Sequence, residues 1–359
     1  MTPVRIAQVC ADRGIAPGGT KGASQHLRGI AQGVQQLGHH VTTFCSRPAE
    51  GDFPVDLRPL DLLAEEVHRF DVVYERSSLG HTDGLDLARA NGLPFVLEVN
   101  APLFEEARRH RPDTVAAGDE AAERRLVADA DLVITVSSEL ADWARRVRTG
   151  PVRVLPNGFA PDWFRTPPRT EPSFPLVFLG HPKPWHGADR LVPLLMALAD
   201  RGHRPRTLVI GGGEGAERLR ETARRHGLAD QLVVTGAVPG PEASRLLADA
   251  AIGLAPYPSQ RPFYFCPLKV IDYLAAGLAV VSTAQGDVPD LVGDAGIVVD
   301  PDDDEALSDA VALLLDRLAE ARRRGAVGRR RAFTSMTWTH VAARTIEAIS
   351  ALVPAGASR

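Results

Sequence analysis

The sequence predicts an α/β protein with two doubly wound, Rossmann-like domains that face each other across a cleft. Short, nearly continuous apolar runs alternate with helical patterns, as expected for strands buried on both faces of a parallel sheet. This alternation occurs twice, with six predicted strands in each half. A length of 359 residues also favours two domains, because single cores seldom grow beyond about 250 to 300 residues.

Twelve apolar runs bounded by turn residues predict the strands. A helical pattern follows the first run, because Leu27, Ile30 and Val34 recur at spacings of three to four residues. Ligands of such sheets bind beyond the carboxyl ends of the strands. The runs are RIAQVC, HVTTF, FDVVYE, PFVLEV, LVITV and VRVLP in the first half, and LVFLG, TLVIG, LVVTG, IGLAP, AVVST and GIVVD in the second.

A proline-rich segment separates the two halves. Residues 159–175, FAPDWFRTPPRTEPSFP, contain five prolines, which exclude a helix and predict a stiff, extended linker. We therefore predict one domain over residues 1–160 and a second over residues 161–337.

The composition argues against several classes of protein. A net charge of -4 provides no basic field that would hold nucleic acid or an anionic membrane. Arginine clusters at 322–324 and 329–331 are interpreted as solvated helix faces. Three cysteines without C-x-x-C or C-x-x-H spacing argue against a disulfide framework and a zinc site. The lack of an apolar signal core and of a long apolar run predicts a soluble, cytoplasmic protein.

Lysine is rare in this chain, and the few lysines have similar sequence surroundings. Three of the 41 Lys and Arg residues are lysines, so 38 are arginines. Lys21, Lys183 and Lys269 each lie beside Gly or Pro, where a predicted strand leads into a helix. A position that keeps lysine against this bias indicates a need for a compact ammonium group rather than a planar guanidinium.

Two of these segments have features of an anion site. PGGTKGAS at 17–24 is a glycine-rich turn entering a helix, whose backbone N–H groups suit a phosphate, although a simple tight turn would have the same sequence. CPLKVIDYLAAG at 266–277 places Lys269 and Asp272 three residues apart on one helix face. Its apolar surroundings favour a cleft-facing lysine and carboxylate over a surface ion pair.

VIGGGEGA at 209–216 matches the G-x-G-x-x-A fingerprint of dinucleotide-binding folds. The acidic residue expected about 20 positions later is displaced to Asp230, and this unit lies within its domain rather than at its start. An NAD-dependent oxidoreductase is therefore a distant alternative.

The chain resembles family 4 retaining glycosyltransferases of the two-domain GT-B type. This resemblance implies transfer of a sugar from a nucleoside-diphosphate donor with retained anomeric configuration, without a cofactor or an obligatory metal ion. The segments that carry it run through nearly the whole chain: KGASQHLRGIAQGVQQLGHHV, FDVVYERSS, PFVLEVNAPLFEE, ADLVITVSSEL, VRVLPNGF, VFLGHPKPWHG, VIGGGE and PLKVIDYLAAGLAVVST.

The resemblance also implies a donor site. Lys183 would face the diphosphate, although the family places its Arg and Lys where this chain has His181 and His186. Asp272 would bind the ribose hydroxyls. The other residues assigned to the donor are Lys21 and Gly22, Gly213, Val238, Phe265, Cys266, Leu268 and Lys269.

Tyr264 departs from the family pattern. The family has a glutamate at this position, eight residues before the one matched by Asp272. Tyrosine accepts fewer hydrogen bonds and presents an apolar face, so it predicts a modified, deoxygenated or bulkier donor sugar. Tyr264 could equally serve in packing alone.

The acceptor is expected on the first domain, near His26, Glu98, Asn100 and Glu105. The resemblance also implies that a final amphipathic helix over about 338–352 crosses back onto this domain. Because the chain lacks a basic face that would bind a membrane, we expect a small soluble acceptor, in bacterial natural-product assembly. The alternative is polysaccharide or glycolipid synthesis.

Two other functions remain open, a sugar-nucleotide 2-epimerase and a non-catalytic nucleotide-binding module. The run DPDDDE at 300–305 is interpreted as a helix cap rather than a metal site.

Overall fold

The computed structural model describes residues 2–353, which form two compact units. Unit 1 holds the chain through Gly158, the segment Tyr264–Cys266 and the residues from Trp338 onward. Unit 2 holds Phe159–Phe263 and Pro267–Thr337. The observed boundary lies two residues before the predicted one, and the sequence did not predict Tyr264–Cys266 in unit 1.

Unit 1 contains a seven-stranded sheet in which every neighbouring pair is parallel. Its strands are β1 (Arg5–Cys10), β2 (His40–Cys45), β3 (Asp56–Pro59), β4 (Val72–Arg76), β5 (Phe95–Val99), β6 (Leu132–Thr135) and β7 (Val152–Val154). The spatial order is β3-β2-β1-β4-β5-β6-β7. The sequence missed β3, because a short, mostly exposed edge strand needs no apolar run.

Unit 2 contains a six-stranded sheet that is also entirely parallel. Its strands are β8 (Phe174–Leu179), β9 (Thr207–Ile210), β10 (Leu232–Val234), β11 (Ala250–Ala255), β12 (Ala279–Thr283) and β13 (Gly296–Val299). All six were predicted. The order β10-β9-β8-β11-β12-β13 reverses between β8 and β11, which is where open parallel sheets bind ligands.

Helices connect the strands in both units. They are α1 (Gly22–Gln36), α2 (Leu63–Glu66), α3 (Asp83–Ala90), α4 (Leu103–His110), α5 (Asp119–Asp129), α6 (Ser138–Arg145), α7 (Leu191–Asp200), α8 (Glu214–Arg225), α9 (Gly240–Leu247), α10 (Leu268–Ala276), α11 (Val288–Val292), α12 (Asp304–Asp316), α13 (Leu318–Ser335) and α14 (Trp338–Ser350). The last of these, α14, belongs to unit 1.

Two glycines of α1 allow α14 to pack closely against it. A Cβ atom on Gly29 would lie 2.2 Å from the Trp338 ring, and one on Gly33 would lie 2.6 Å from the Trp338 carbonyl oxygen. The Trp338 ring also packs edge-on against His26, with ring centroids 5.1 Å apart. The last described helix therefore helps to fix a residue that the sequence assigns to the acceptor site.

The proline-rich segment is not extended over its whole length, because part of it forms a packed turn. A 3-10 turn at Pro161–Phe164 buries the Phe164 side chain. Arg329 donates a hydrogen bond of 2.6 Å to the Phe164 carbonyl oxygen. The prediction of an extended linker is wrong for residues 161–164, because Pro161 begins a turn, a position that proline tolerates.

The interpretation of the arginine clusters as solvated faces is also wrong for most of their members. Arg322, Arg324, Arg329 and Arg331 of α13 are half-buried and donate to backbone carbonyl oxygens of neighbouring segments. A guanidinium group has five donors, so it can satisfy carbonyl groups left free at helix and strand ends. These arginines are structural.

The acidic run at 300–305 caps α12, as predicted. Asp303 accepts a hydrogen bond of 2.7 Å from the backbone N–H of Ala306. Among residues 2–353, no group of three or more His, Cys, Asp or Glu side chains is placed to hold a metal ion. Within the same range, no helix is long and apolar enough to cross a membrane.

The α1–α14 contact yields the first prediction. Gly29→Ala should lower the free energy of unfolding by about 1–3 kcal/mol, because the added methyl group meets the Trp338 ring. This loss should outweigh the gain of about 1 kcal/mol in helix propensity. Gln35→Ala, at an exposed position of the same helix, is the matched control. Equal denaturation midpoints for Gly29→Ala and wild type would show that α14 does not pack here.

Candidate active site

The loop after β8 contacts the segment after β9 so closely that only glycine fits at the contact points. Gly180 has a φ of 113°, in the left-handed region. A Cβ atom on Gly211 would lie 2.2 Å from the Gly180 carbonyl oxygen, and one on Gly215 would lie 1.8 Å from that of Pro182. Close packing of the two loops therefore accounts for these glycines of VIGGGEGA without a dinucleotide.

A buried tyrosine hydroxyl joins the ends of β8 and β11. The Tyr273 hydroxyl donates to the Leu254 carbonyl oxygen at 3.0 Å and accepts from the Leu179 N–H at 2.7 Å. The Tyr273 ring packs on Gly253, where a Cβ atom would lie 2.5 Å from it. The start of the loop that carries Lys183 is thereby held next to the strand that precedes α10.

The three basic residues of this loop have different environments. Lys183 is exposed, and its ammonium group lies 4.9 Å from the centroid of the Trp185 ring. His181 is exposed, with Nδ1 2.9 Å from the Gly212 carbonyl oxygen. His186 places Nδ1 2.8 Å from the His181 carbonyl oxygen, and burial together with nearby Lys269 lowers its pKa to about 4. His186 is therefore neutral at physiological pH.

Lys269 lies at the start of α10 and is buried. Its side chain is only 8% exposed, and its ammonium group lies 4.1 Å from the centroid of the Phe178 ring. Within the described residues this group has no hydrogen-bond acceptor. Burial lowers the pKa of Lys269 to about 7. Helix α10 also begins without a side-chain cap, so its first N–H groups are available to a ligand.

Asp272 lies one turn further along α10 and is partly exposed. Burial among protein groups raises the pKa of its carboxyl to about 7, and no other cause contributes. Lys269 and Asp272 are thus not an ion pair, so a surface ion pair, the alternative interpretation of this helix, is excluded. A carboxylate without a partner suits a ligand that donates hydrogen bonds.

The remaining donor candidates are divided between the two units. In unit 2, Gly213 precedes α8 with a φ of 89°, Val238 is half-buried before α9, and Leu268 is the first residue of α10. In unit 1, Lys21 and Gly22 are exposed at the start of α1. Tyr264, Phe265 and Cys266 also belong to unit 1.

Glu98 lies at the centre of a buried polar cluster in unit 1. Its side chain is enclosed, and it accepts hydrogen bonds from the Tyr74 hydroxyl, from Arg76 at 3.1 Å and from the Asn100 amide at 2.5 Å. Burial opposes ionisation, but His26, Arg76 and Tyr74 outweigh it and hold the pKa of Glu98 well below its usual range. Glu98 is therefore a buried carboxylate whose hydrogen-bonding capacity is used by the protein.

His26 connects Glu98 to a residue that the sequence did not single out. Its Nε2 lies 2.8 Å from a Glu98 oxygen, and its Nδ1 lies 2.6 Å from the Asn157 side-chain oxygen. The Asn157 amide donates to the Cys266 carbonyl oxygen at 3.4 Å, which fixes the orientation of the amide. Both ring nitrogens of His26 thus lie within hydrogen-bond distance of a side-chain oxygen.

These contacts revise the predicted acceptor residues. His26, Glu98 and Asn100 lie together, but His26 and Glu98 are buried and their polar atoms already bond to protein groups. They position Asn100 and Arg76, which are only partly buried at the carboxyl ends of β5 and β4. The sequence analysis missed Arg76, although it is the polar residue that ends the strand segment VVYER and could have been found from that position. Glu105 is exposed on α4.

The Tyr264 hydroxyl is engaged within unit 1. It donates a hydrogen bond of 2.6 Å to Glu106 of α4, and the Tyr264 carbonyl oxygen accepts one of 2.5 Å from Ser137. A hydrogen bond from this hydroxyl to a donor sugar would therefore compete with its hydrogen bond to Glu106.

Comparison with known proteins identifies the family. Residues 20–163 match the sequence profile of Glycosyltransferase Family 4, and residues 174–317 match that of Glycosyl transferases group 1. A glycogen synthase of Mycobacterium tuberculosis is 30% identical over 312 residues, which cover 81% of this chain and 71% of that protein. The chain belongs to glycosyltransferase family 4. It is a glycosyltransferase that uses nucleotide-sugar donors.

Solved structures show the GT-B fold for this glycosyltransferase. Sucrose-phosphate synthase from Thermosynechococcus elongatus superposes with a TM-score of 0.73 and 19% identity, covering 97% of this chain and 99% of that one. Anabaena HepE in complex with UDP-glucose gives a TM-score of 0.71 and 16% identity, covering 97% of this chain and 100% of that one.

The Glu98 cluster yields a second prediction. Glu98→Gln should lower the free energy of unfolding by about 3 kcal/mol or more, because it leaves the Arg76 guanidinium group without its counter-ion in an enclosed site. Glu105→Gln removes an exposed carboxylate from the neighbouring helix and should be nearly neutral. Urea denaturation at neutral pH measures both. Equal stability of the two variants would contradict a charged, buried Glu98.

Proposed function

We propose that this glycosyltransferase transfers a sugar from a nucleoside-diphosphate donor to a small soluble acceptor, with retained configuration and without a metal ion. The observation that carries this proposal is the start of α10, where uncapped backbone N–H groups, a buried cation and a carboxylate without a partner occur within five residues. A diphosphate and a ribose are complementary to these groups.

The chemistry requires stabilisation of a leaving group. The bond between the anomeric carbon and the phosphate oxygen breaks, the acceptor hydroxyl oxygen bonds to the same face of the sugar, and the hydroxyl proton passes to the departing diphosphate oxygen. Negative charge grows on the diphosphate during this step, and preorganised cationic groups and N–H donors stabilise it. A site of this kind needs no metal ion for charge neutralisation. Lys183, the cation first assigned to this role, remains a candidate.

The acceptor side of the proposal rests on Arg76 and Asn100. Both lie at carboxyl ends of the unit 1 sheet, and Glu98 holds both in place. Partly exposed amide and guanidinium groups donate hydrogen bonds to hydroxyl or carbonyl oxygens of a polar molecule. Transfer to a soluble natural product or sugar is the proposal, whereas the M. tuberculosis relative is named for glycogen.

Product analysis tests the reaction. The protein is incubated with UDP-glucose or GDP-mannose and a panel of sugar and natural-product acceptors, with and without EDTA. We expect an α-linked product by NMR and equal rates with the chelator. Loss of turnover in EDTA that magnesium restores would contradict metal independence. A β-linked product would contradict retention. A changed free sugar without an acceptor would indicate an epimerase, and binding without any product would indicate a binding module.

Asp272→Asn tests the ribose contact. The amide keeps the shape of the carboxylate but loses a charge-assisted acceptor, so affinity for the nucleoside diphosphate should fall by about tenfold. Asp200→Asn is the matched control, because Asp200 is exposed at the end of α7, which leads to the amino end of β9. Calorimetric titration measures both. Affinity that Asp272→Asn leaves unchanged would remove Asp272 from the site.

A further inference from the structure

The ammonium group of Lys269 occupies an apolar enclosure beneath the loop that follows β8. It lies 4.1 Å from the Phe178 ring centroid and 5.3 Å from that of Tyr257. A Cβ atom on Gly180 would lie 3.9 Å from it. The group therefore lies at the carboxyl end of β8, beside the switch point of the sheet.

No residue in the described range compensates this buried group with a hydrogen bond. His186 lies close enough to Lys269 for the lysine to help lower its pKa, so it does not compensate the ammonium charge. Asp272, on the same helix, forms no ion pair with it. A buried cation without a partner is costly, and proteins usually pair it or lose it. Its retention in a chain that otherwise uses arginine indicates a partner that arrives from outside.

We propose that Lys269 is the cation that binds the donor diphosphate, and that it takes up a proton from solvent as the donor binds. This inference rests on the proposed function, because it assigns a residue of the same donor site. Lys183, which is exposed beside Trp185, is secondary to it.

Burial determines how much of Lys269 carries a proton before the donor binds. The lowered pKa of about 7 leaves Lys269 mostly neutral at pH 8 and above. The two phosphates of a sugar nucleotide are ionised throughout this range and do not titrate. Their charge favours the ammonium form, so the neutral amine gains one proton from the buffer on binding. Affinity should therefore decrease as pH rises above about 7, and below that value little uptake remains.

Two other groups of the site do not change their charge near pH 8.5. His186, with a pKa of about 4, is neutral at pH 8.5, and Asp272, with a pKa of about 7, is already ionised there. Lys183 is exposed. Uptake near pH 8.5 is therefore a property of Lys269.

Calorimetric titration in buffers of different ionisation enthalpy measures this uptake. UDP-glucose and GDP-mannose are the probes, at about pH 6 and about pH 8.5. We expect the wild type to take up about one proton per site at the higher pH and much less at the lower one. Lys269→Met should bind at least about tenfold more weakly and take up no proton. Lys183→Ala should weaken binding but retain the uptake.

Lys269→Met should fold, because methionine matches the apolar enclosure and removes an unpaired ammonium group. Its denaturation midpoint at about pH 6 should equal or exceed that of the wild type. Uptake that is absent from the wild type, or that persists in Lys269→Met, overturns the inference, as does unchanged affinity of Lys269→Met. If neither sugar nucleotide binds the wild type at all, the donor site of the proposed function fails as well.

Discussion

Unit 2 of this glycosyltransferase contains a buried lysine whose ammonium group has no hydrogen-bond acceptor among the described residues. Aromatic rings of Phe178 and Tyr257 surround the Lys269 ammonium group, and such contacts recover only part of the lost hydration energy. The surrounding backbone is correspondingly well fixed. The Tyr273 hydroxyl joins β8 to β11, and glycines allow the loops beside Lys269 to pack tightly. Rigid surroundings keep the unpaired charge in place for a ligand.

Unit 1 shows the opposite arrangement of buried charge. Glu98 is buried, as Lys269 is, but four side chains bond to it and Arg76 balances its charge. A compensated cluster stabilises and positions its members, whereas an uncompensated group retains capacity for a ligand. This difference is the reason that we assign Glu98 a positioning role and Lys269 a binding role. Burial alone would not have distinguished them.

Much of the fold could be predicted from the sequence, because buried parallel strands require apolar runs. The polar edge strand β3 has no such requirement and was missed. The rarity of lysine singled out the segments that carry Lys183 and Lys269, but it could not rank the two residues. The two lysines differ in how far they are buried. Burial depends on the register of β8 and β11 and on the direction of each side chain. The fixed strand register also brings Arg76 beside Glu98, which no local pattern indicates. The engagement of Tyr264 with Glu106 joins positions 158 residues apart and was equally invisible.

The central claim is that a diphosphate completes the site at Lys269. A crystal structure of the protein with a bound sugar nucleotide tests it most directly. We expect a phosphate oxygen about 2.7–2.9 Å from the Lys269 ammonium group, with further phosphate contacts to the first N–H groups of α10. A diphosphate bound elsewhere, with the ammonium group still over the Phe178 ring and without a phosphate oxygen in contact, would contradict it.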